Sequence, residues 1–415
     1  MIGLPLWIEC YKYIKIKYKM KEQLLKNYFE TPFNIKPVLK QKNIVNISFT
    51  NGPLVEILGN NQENYTITFE DTRNNSIAHS ATINNKMWTS CNVKYYVPWK
   101  IKIKSESFSE EYVLSLKNKK VCIINDSCSL GDTIAWMDSI QKFQSKHDCI
   151  VDYYTPIFDI FDTEAYTNIN FFSFSDFNKN QLNYHHVYKI GCFRPFGPSD
   201  LCPKDWRTIS LCDIANEILD LPYGNKPAKL KKPSKITKEK TVCIATQSTA
   251  QAKYWNNENG WKQTVDYLNS LNYKVICIDK DKYFGNDKIM NSMPENCIDK
   301  TGNISLHERI QDLYNCDFFI GLGSGLSWLA WACEKPVILI SGFSDPKSEF
   351  YTPYRVHNKN VCNSCWNNTN HEFNAGDWLW CPEHKNDDRI FECTKKITFD
   401  MVKQKIDACI KDNNL

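Results

Sequence analysis

Two rhythms of apolar residues divide the chain. Between residues 20 and 115, runs such as VLKQKNIVNISFTNGPLVEILG, NYTITFEDTRNN and NVKYYVPWKIKIKS alternate apolar and polar positions over short lengths broken by Asn, Gly and Pro. A period of two predicts antiparallel strands, and Asn51–Gly52 is a hairpin signal. We therefore expect a small β domain, sandwich or barrel, within residues 1–115, with 1–19 as an upstream extension if Met20 is the true start. From Lys119 the rhythm becomes strand, loop, helix. VCIIN reads as a buried strand, TIAWMDSIQKF as a helix with Ile134, Met137 and Ile140 on one face, and IVDYYTPIF, NINFFSFSDF and HHVYKIGCF as further strands. After the helix DIANEILDL comes NKPAKLKKPSKITKEK, a Pro- and Lys-rich stretch with the composition of an interdomain linker.

A second α/β unit follows: TVCIATQS, a helix from Trp261 to Leu271, KVICID, and a helix with Leu306, Ile310 and Leu313 on one face. CDFFI, GLGSGL, SWLAWAC and PVILI then read as strand, turn, helix and strand, and FDMVKQKIDACIKD closes the chain as a helix. The division is 1–115 for the β domain, 116–225 for a first Rossmann-like domain and 226–415 for a second. In sheets of this type ligands lie beyond the carboxyl ends of the strands, so the loops after VCIIN, VCIAT, VICID and FFIG should meet in one cleft.

Composition narrows the partners. A net charge of +4 on 415 residues, with 51 basic against 47 acidic side chains, argues against a nucleic-acid binder. No apolar run is long enough to span a bilayer. The N-terminal stretch, with its alternating lysines, lacks the apolar core and cleavage site of a signal peptide. A cytoplasmic protein with reduced thiols is the expectation for most of the 18 cysteines.

One cysteine group stands apart. Cys362-x-x-Cys365, with Cys381 and Cys393 beyond it, offers four thiolates for a tetrahedral site in a finger spanning 362–393, with His371 and His384 outside the best spacing. Coordination chemistry alone suggests zinc, with iron also suited to four sulfurs. The non-enzymatic alternative is a metal-ribbon interaction protein.

Other candidates sit at strand ends. Asp132, in SLGDTIAW, could serve as a general base toward an attacking hydroxyl; read from residues alone it is more readily a helix N-cap. Thr246, Gln247, Ser248 and Lys253, in ATQSTAQAK, could bind a diphosphate, and Asp279 a ribose or sugar hydroxyl. The loop Gly321–Ser327, with Gly323, Ser324, Gly325, Leu326 and Ser327, leaves backbone N–H groups at a helix start, a natural seat for phosphate.

Thr301–Gly302, the helix from Leu306, the glycine loop and the Pro-led strand resemble the nucleotide-sugar half of the bacterial heptosyltransferases. Where those enzymes carry a loop Asp and a following His, this chain has Gly323 and Trp328. GLGSGLSWLAW is closer to the autotransporter heptosyltransferases, and the resemblance is strongest from about residue 120 to the C-terminus. It implies a GT-B fold of two Rossmann-like domains, an N-terminal β domain that contributes to assembly, and a C-terminal four-cysteine finger. It implies Asp132 as catalytic base of an inverting transfer, and Gly302 with the loop residues above as donor-binding. The donor implied is ADP-glycero-manno-heptose, and the acceptor serine hydroxyls of an autotransporter adhesin. Iron, one ion per subunit, is the implied occupant of the finger, and a large ring-like homo-oligomer, such as a dodecamer, the implied assembly. A lipopolysaccharide-type heptosyltransferase acting on a lipid-linked sugar is the alternative enzyme.

Overall fold

The computed structural model describes residues 38–40, 43–177, 184–194, 196–237, 239–286 and 288–415. The extension over residues 1–19 lies outside them. The period-two region forms two four-stranded antiparallel sheets. One runs Val38–Lys40, Asn43–Ser48, Leu54–Ile57, Trp88–Ser90, and the other Ser76–Asn84, Asn64–Asp71, Trp99–Lys104, Ser109–Val113, each in spatial order. Alternation sets the inner face: Tyr65, Ile67 and Phe69 pack with Trp99, Ile101 and Ile103, while the lysines between the latter point outward. Asn51–Gly52 does lie in a hairpin, between strands paired Ser48 to Leu54. Gly52 has φ +82°, and a Cβ there would meet the Cys91 carbonyl at 2.6 Å, so only glycine fits. The hairpin tip docks on the next domain: Phe49 N–H donates to the His185 carbonyl (2.8 Å), and Val187 N–H to the Phe49 carbonyl (3.2 Å).

Two parallel sheets follow. The first is ordered Ile169–Ser173, Ile150–Thr155, Lys120–Asn125, His186–Ile190. The second is ordered Ile298–Asp299, Lys274–Cys277, Thr241–Ala245, Phe318–Leu322, Val337–Ile340, Arg355–Val356. Their central strands are mostly apolar and, Lys120 apart, buried, as sheets covered on both faces require. The closing helix, Phe399–Asp412, lays Val402, Ile406 and Cys409 on the second sheet. The expected helix over TIAWMDSIQKF is interrupted at Trp136, giving Leu130–Ala135 and Met137–His147. Trp136 is fully buried and its indole N–H donates to the Leu211 carbonyl at 2.7 Å, which fixes the break. The linker is partly built into the first unit: Ala228 and Leu230 are buried, and Lys231 N–H donates to the Ile160 carbonyl at 2.9 Å.

The cysteine finger touches both α/β units. Arg207, from the first, is 1% exposed, and its guanidinium donates to the carbonyls of Trp366 (2.8 Å), His371 (2.6 Å), Asn368 (2.7 Å) and Cys365 (3.4 Å). Asn367 Nδ2 returns a bond to the Arg207 carbonyl at 2.7 Å, and Trp206 lies edge-on to Trp366. A planar guanidinium can serve several carbonyl dipoles at once, whereas an ammonium cannot span them. Arg207→Met should therefore destabilise the chain by about 3 kcal/mol. The checks are the shift of the denaturation midpoint and faster proteolysis within 362–393.

Candidate active site

The site begins with Asn125, at the carboxyl end of the central strand of the first sheet. Its buried amide donates to Thr133 Oγ1 (3.0 Å) and Thr155 Oγ1 (3.3 Å), and its carbonyl oxygen accepts the Ser127 N–H at 3.0 Å. So fixed, Ser127 donates its hydroxyl to Asp132 Oδ2 at 2.6 Å. Asp132 is not the N-cap: that position belongs to Ser129, and Asp132 stands in the first helical turn. Burial pushes its carboxyl above the ordinary carboxylate range, opposed by the Ser127 hydrogen bond and the charge of Lys253.

Lys253 comes from the second unit, at the end of the short helix Gln251–Lys253. Burial lowers its pKa, and the negative charges of Glu349 and Asp132 oppose that loss. Asp132 and Lys253 thus feel one another across the junction of the two halves, and Cys192 lies within reach of both charges. Behind the lysine, the Gln251 N–H donates to the Trp378 carbonyl at 3.0 Å and Ala252 packs with Phe343, Trp380 and Phe391. The finger therefore backs the lysine's loop.

The junction itself is made by glycines. A Cβ on Gly131 would stand 3.0 Å from Trp328 Cδ1, and one on Gly325 would stand 3.0 Å from Leu130 Cβ and 3.3 Å from the Gly131 nitrogen. The two helices that start on either side of the cleft approach backbone to backbone. Ser324 caps the helix Gly325–Ala332 without a side-chain cap bond, so its half-buried hydroxyl is not spent on the helix.

Several expected ligands have other duties. Ser327 is 0% exposed and donates to the Leu322 carbonyl at 2.5 Å, so it cannot add a hydroxyl to the cleft. Asp279, expected at a sugar hydroxyl, is 2% exposed and turned inward. It accepts from Thr246 N–H (2.7 Å), Thr246 Oγ1 (2.9 Å) and Gln247 N–H (3.3 Å), and so shapes the loop after the strand Thr241–Ala245 instead. Ser248 is buried beside them. Gly302, with φ +121°, contributes through its carbonyl, which accepts from the buried Arg309 at 3.2 Å; Arg309 also holds the carbonyls of Lys300 and Asp279. Arg309, Asn125 and Glu349 were not legible as site residues in the sequence.

Burial raises the thiol pKa of Cys362, Cys365 and Cys393, the neighbouring finger thiols add to that rise, and the Phe391 N–H points at Cys381 Sγ (3.5 Å). Ser364 and Phe391 adopt positive φ, turning the chain around the cluster. His371 and His384 are paired with Glu383 and Asp387, which leaves the four sulfurs as the natural donor set. They form a cluster short of closure: among the described residues no group of three or more His, Cys, Asp or Glu side chains is set to hold a metal ion.

Residues 212–378 match the family Glycosyltransferase family 9 (heptosyltransferase). The autotransporter heptosyltransferase Aah of Escherichia coli is 43% identical over 318 residues, 75% of this chain and 80% of that one. The chain belongs to the autotransporter heptosyltransferases. The enzyme is also 42% identical over 320 residues to TibC of E. coli O78:H11, across 76% and 78% of the two chains. The crystal structure of TibC in complex with ADP-D-beta-D-heptose superposes with a TM-score of 0.83 at 35% identity, covering 92% of the enzyme and 100% of that chain. Another crystal structure of TibC, described as an iron-containing dodecameric glycosyltransferase, gives the same score and identity. The GT-B-type α/β architecture expected from sequence is therefore the observed one.

Gly131→Ala tests the junction. The added methyl must displace Trp328 by a few tenths of an ångström, and misplacing the Asp132 helix should lower kcat/KM by ~10-fold or more with little change in thermal stability. Steady-state kinetics beside a melting curve will check it.

Proposed function

We propose that the enzyme transfers heptose from ADP-glycero-manno-heptose to serine hydroxyls of an autotransporter adhesin, in the bacterial cytoplasm. The observation that carries the reading is the close approach of the helix starts at Leu130 and Gly325, one from each Rossmann-like half, across a glycine-lined junction that brings the charges of Asp132 and Lys253 within reach of one another. On this reading residues 116–225 face the acceptor and 226–415 bind the donor.

Asp132 accepts the proton of the serine hydroxyl as that oxygen attacks the anomeric carbon. Ser127 holds Oδ2 by its hydroxyl and so orients the carboxylate. The attack displaces ADP, with inversion as the resemblance implies. Lys253, the Ser324 hydroxyl and the backbone N–H groups of Gly325 and Leu326 take up the charge that develops on the departing diphosphate. Gly323 keeps the loop low enough for backbone approach. Thr246, Gln247 and Ser248 complete the diphosphate cradle, in the shape that Asp279 imposes on it.

Cys362, Cys365, Cys381 and Cys393 would hold one iron ion, with zinc the alternative for the same donor set. When bound, that ion crosslinks the finger and leaves no open position for substrate. The kinship with TibC supports iron and a dodecameric assembly.

Three outcomes test the proposal. Asp132→Asn should reduce transfer by about 10²–10⁴-fold while ADP-heptose binding persists; retained turnover with a co-expressed adhesin, read as intact-mass increments of one heptose per site, would refute the role of the base. The wild-type pH profile of kcat/KM should be bell-shaped. Its acid limb should lie above the ordinary carboxylate range because Asp132 must be ionised, and its alkaline limb below the ordinary lysine range because Lys253 must be charged. Stripping the finger with a chelator should lower the melting temperature and weaken ADP-heptose binding, with one metal equivalent per chain released.

A further inference from the structure

The turn that carries Lys253 is not held by its own backbone. Gln251–Lys253 is a single short helical turn, closed by bonds from Lys253 N–H to the Ala250 carbonyl and from Tyr254 N–H to the Gln251 carbonyl, 3.0 Å each. So short a turn has little stability of its own, and its position is set from outside. The outside support converges on Gln251, which is 1% exposed. Its backbone N–H reaches the finger at the Trp378 carbonyl. Its side chain pairs with Asn291, amide to amide: Asn291 Nδ2 donates to Gln251 Oε1 at 2.9 Å, and Gln251 Nε2 to Asn291 Oδ1 at 3.1 Å. Gln251 Nε2 also donates to Asn256 Oδ1 at 2.8 Å, and Asn256 Nδ2 in turn to the Gln251 carbonyl at 3.0 Å and to Thr394 Oγ1 at 2.8 Å. Asn291 stands opposite Phe284 on a hairpin of Tyr283–Gly285 and Met290–Ser292, a two-stranded sheet apart from the parallel one. That hairpin is anchored in its turn: the Phe284 ring lies on Trp378 at 5.4 Å, and Asn291 Nδ2 also bonds the Phe284 carbonyl at 3.2 Å.

We propose that Gln251 and Asn291 are positioning residues for donor binding, their paired amides bracing the Lys253 turn against the hairpin so that the ammonium is held for the diphosphate. The inference rests on the donor role given to Lys253 above. For stability alone, an apolar pair of the same shape would serve about as well, because desolvating two amides offsets most of what their bonds return. What the amides add is direction. Two opposed hydrogen bonds fix both the spacing and the orientation of the side chains that make them, whereas apolar contact tolerates sliding. Lys253 stands two residues after Gln251 in the same turn, so a slip of Gln251 against the hairpin passes to the lysine through the backbone. The hairpin, the finger and Thr394 thus fix from three directions the placement of one cation.

The test pairs Asn291→Ala, at a half-buried hairpin position, with the apolar double variant Gln251→Met and Asn291→Leu. Each should raise KM for ADP-heptose about tenfold with a smaller change in kcat, while the double variant melts close to the wild type. In a Lys253→Met background Asn291→Ala should add nothing to KM, because its effect runs through the lysine. A purely structural pair would lower the melting temperature and leave KM where it was. KM unmoved in Asn291→Ala, or raised by the same factor with and without Lys253, would overturn the inference. Should the double variant fold poorly by melting curve, Asn291→Ala and its combination with Lys253→Met still decide. Lys253→Met alone separates the two levels. KM unmoved there removes the donor role of Lys253 and this inference with it, whereas KM raised there but unmoved in Asn291→Ala removes only the part given to the amide pair.

Discussion

One electrostatic constraint organises the seam between the two α/β units: the half-buried ammonium group of Lys253, which draws on opposite charge around it. Burial of Lys253 is costly unless opposite charge lies close by, and the chain answers with carboxylates from both sides of the seam. Each of those carboxylates then needs its own support. Asp132 leans on Ser127, which leans on Asn125; Glu349 leans on Arg355 and two serines. Removing water from such a site strengthens every charge within it, and that is the condition under which a diphosphate leaving group can be stabilised by few contacts.

The finger belongs to the same logic. Its aromatic cluster sits behind Ala252, and its carbonyls are gathered by Arg207 of the opposite unit. It therefore holds the lysine's loop from the rear and the first unit from the side. A compact loop region rich in Asn and Trp has little regular hydrogen bonding to keep it in place, and the guanidinium supplies what strands and helices would otherwise provide.

Much of this was legible in the order of residues, and the failures have a common form. Period two and buried apolar runs located the strands, because one-sided and two-sided burial leave different patterns. The glycine loop was readable because close backbone approach demands small residues. Asp279 and Ser327 were misplaced because a polar residue at a strand end or in a first helical turn looks the same whether it faces the cleft or the core; only the fold shows that both bond inward. Arg207 and Glu349 left no local trace at all. Each acts on residues distant in sequence, and no spacing rule links an isolated arginine to carbonyls some 160 positions away.

The hairpin tip at Phe49 bears on how copies of the enzyme can meet. The strand His186–Ile190 ends one side of the first parallel sheet, and an unguarded rim of that kind is a template for strand addition by another chain. Here Phe49 stacks on His186 at 5.2 Å and occupies the backbone groups of His185 and Val187, so that position on the rim is sealed from within the same polypeptide. The ring it covers is neutral, its pKa pushed down to about 3 by burial, so acidification across the range a cell tolerates does not break the seal. A sheet continuing into another chain through this position of the rim is thereby excluded.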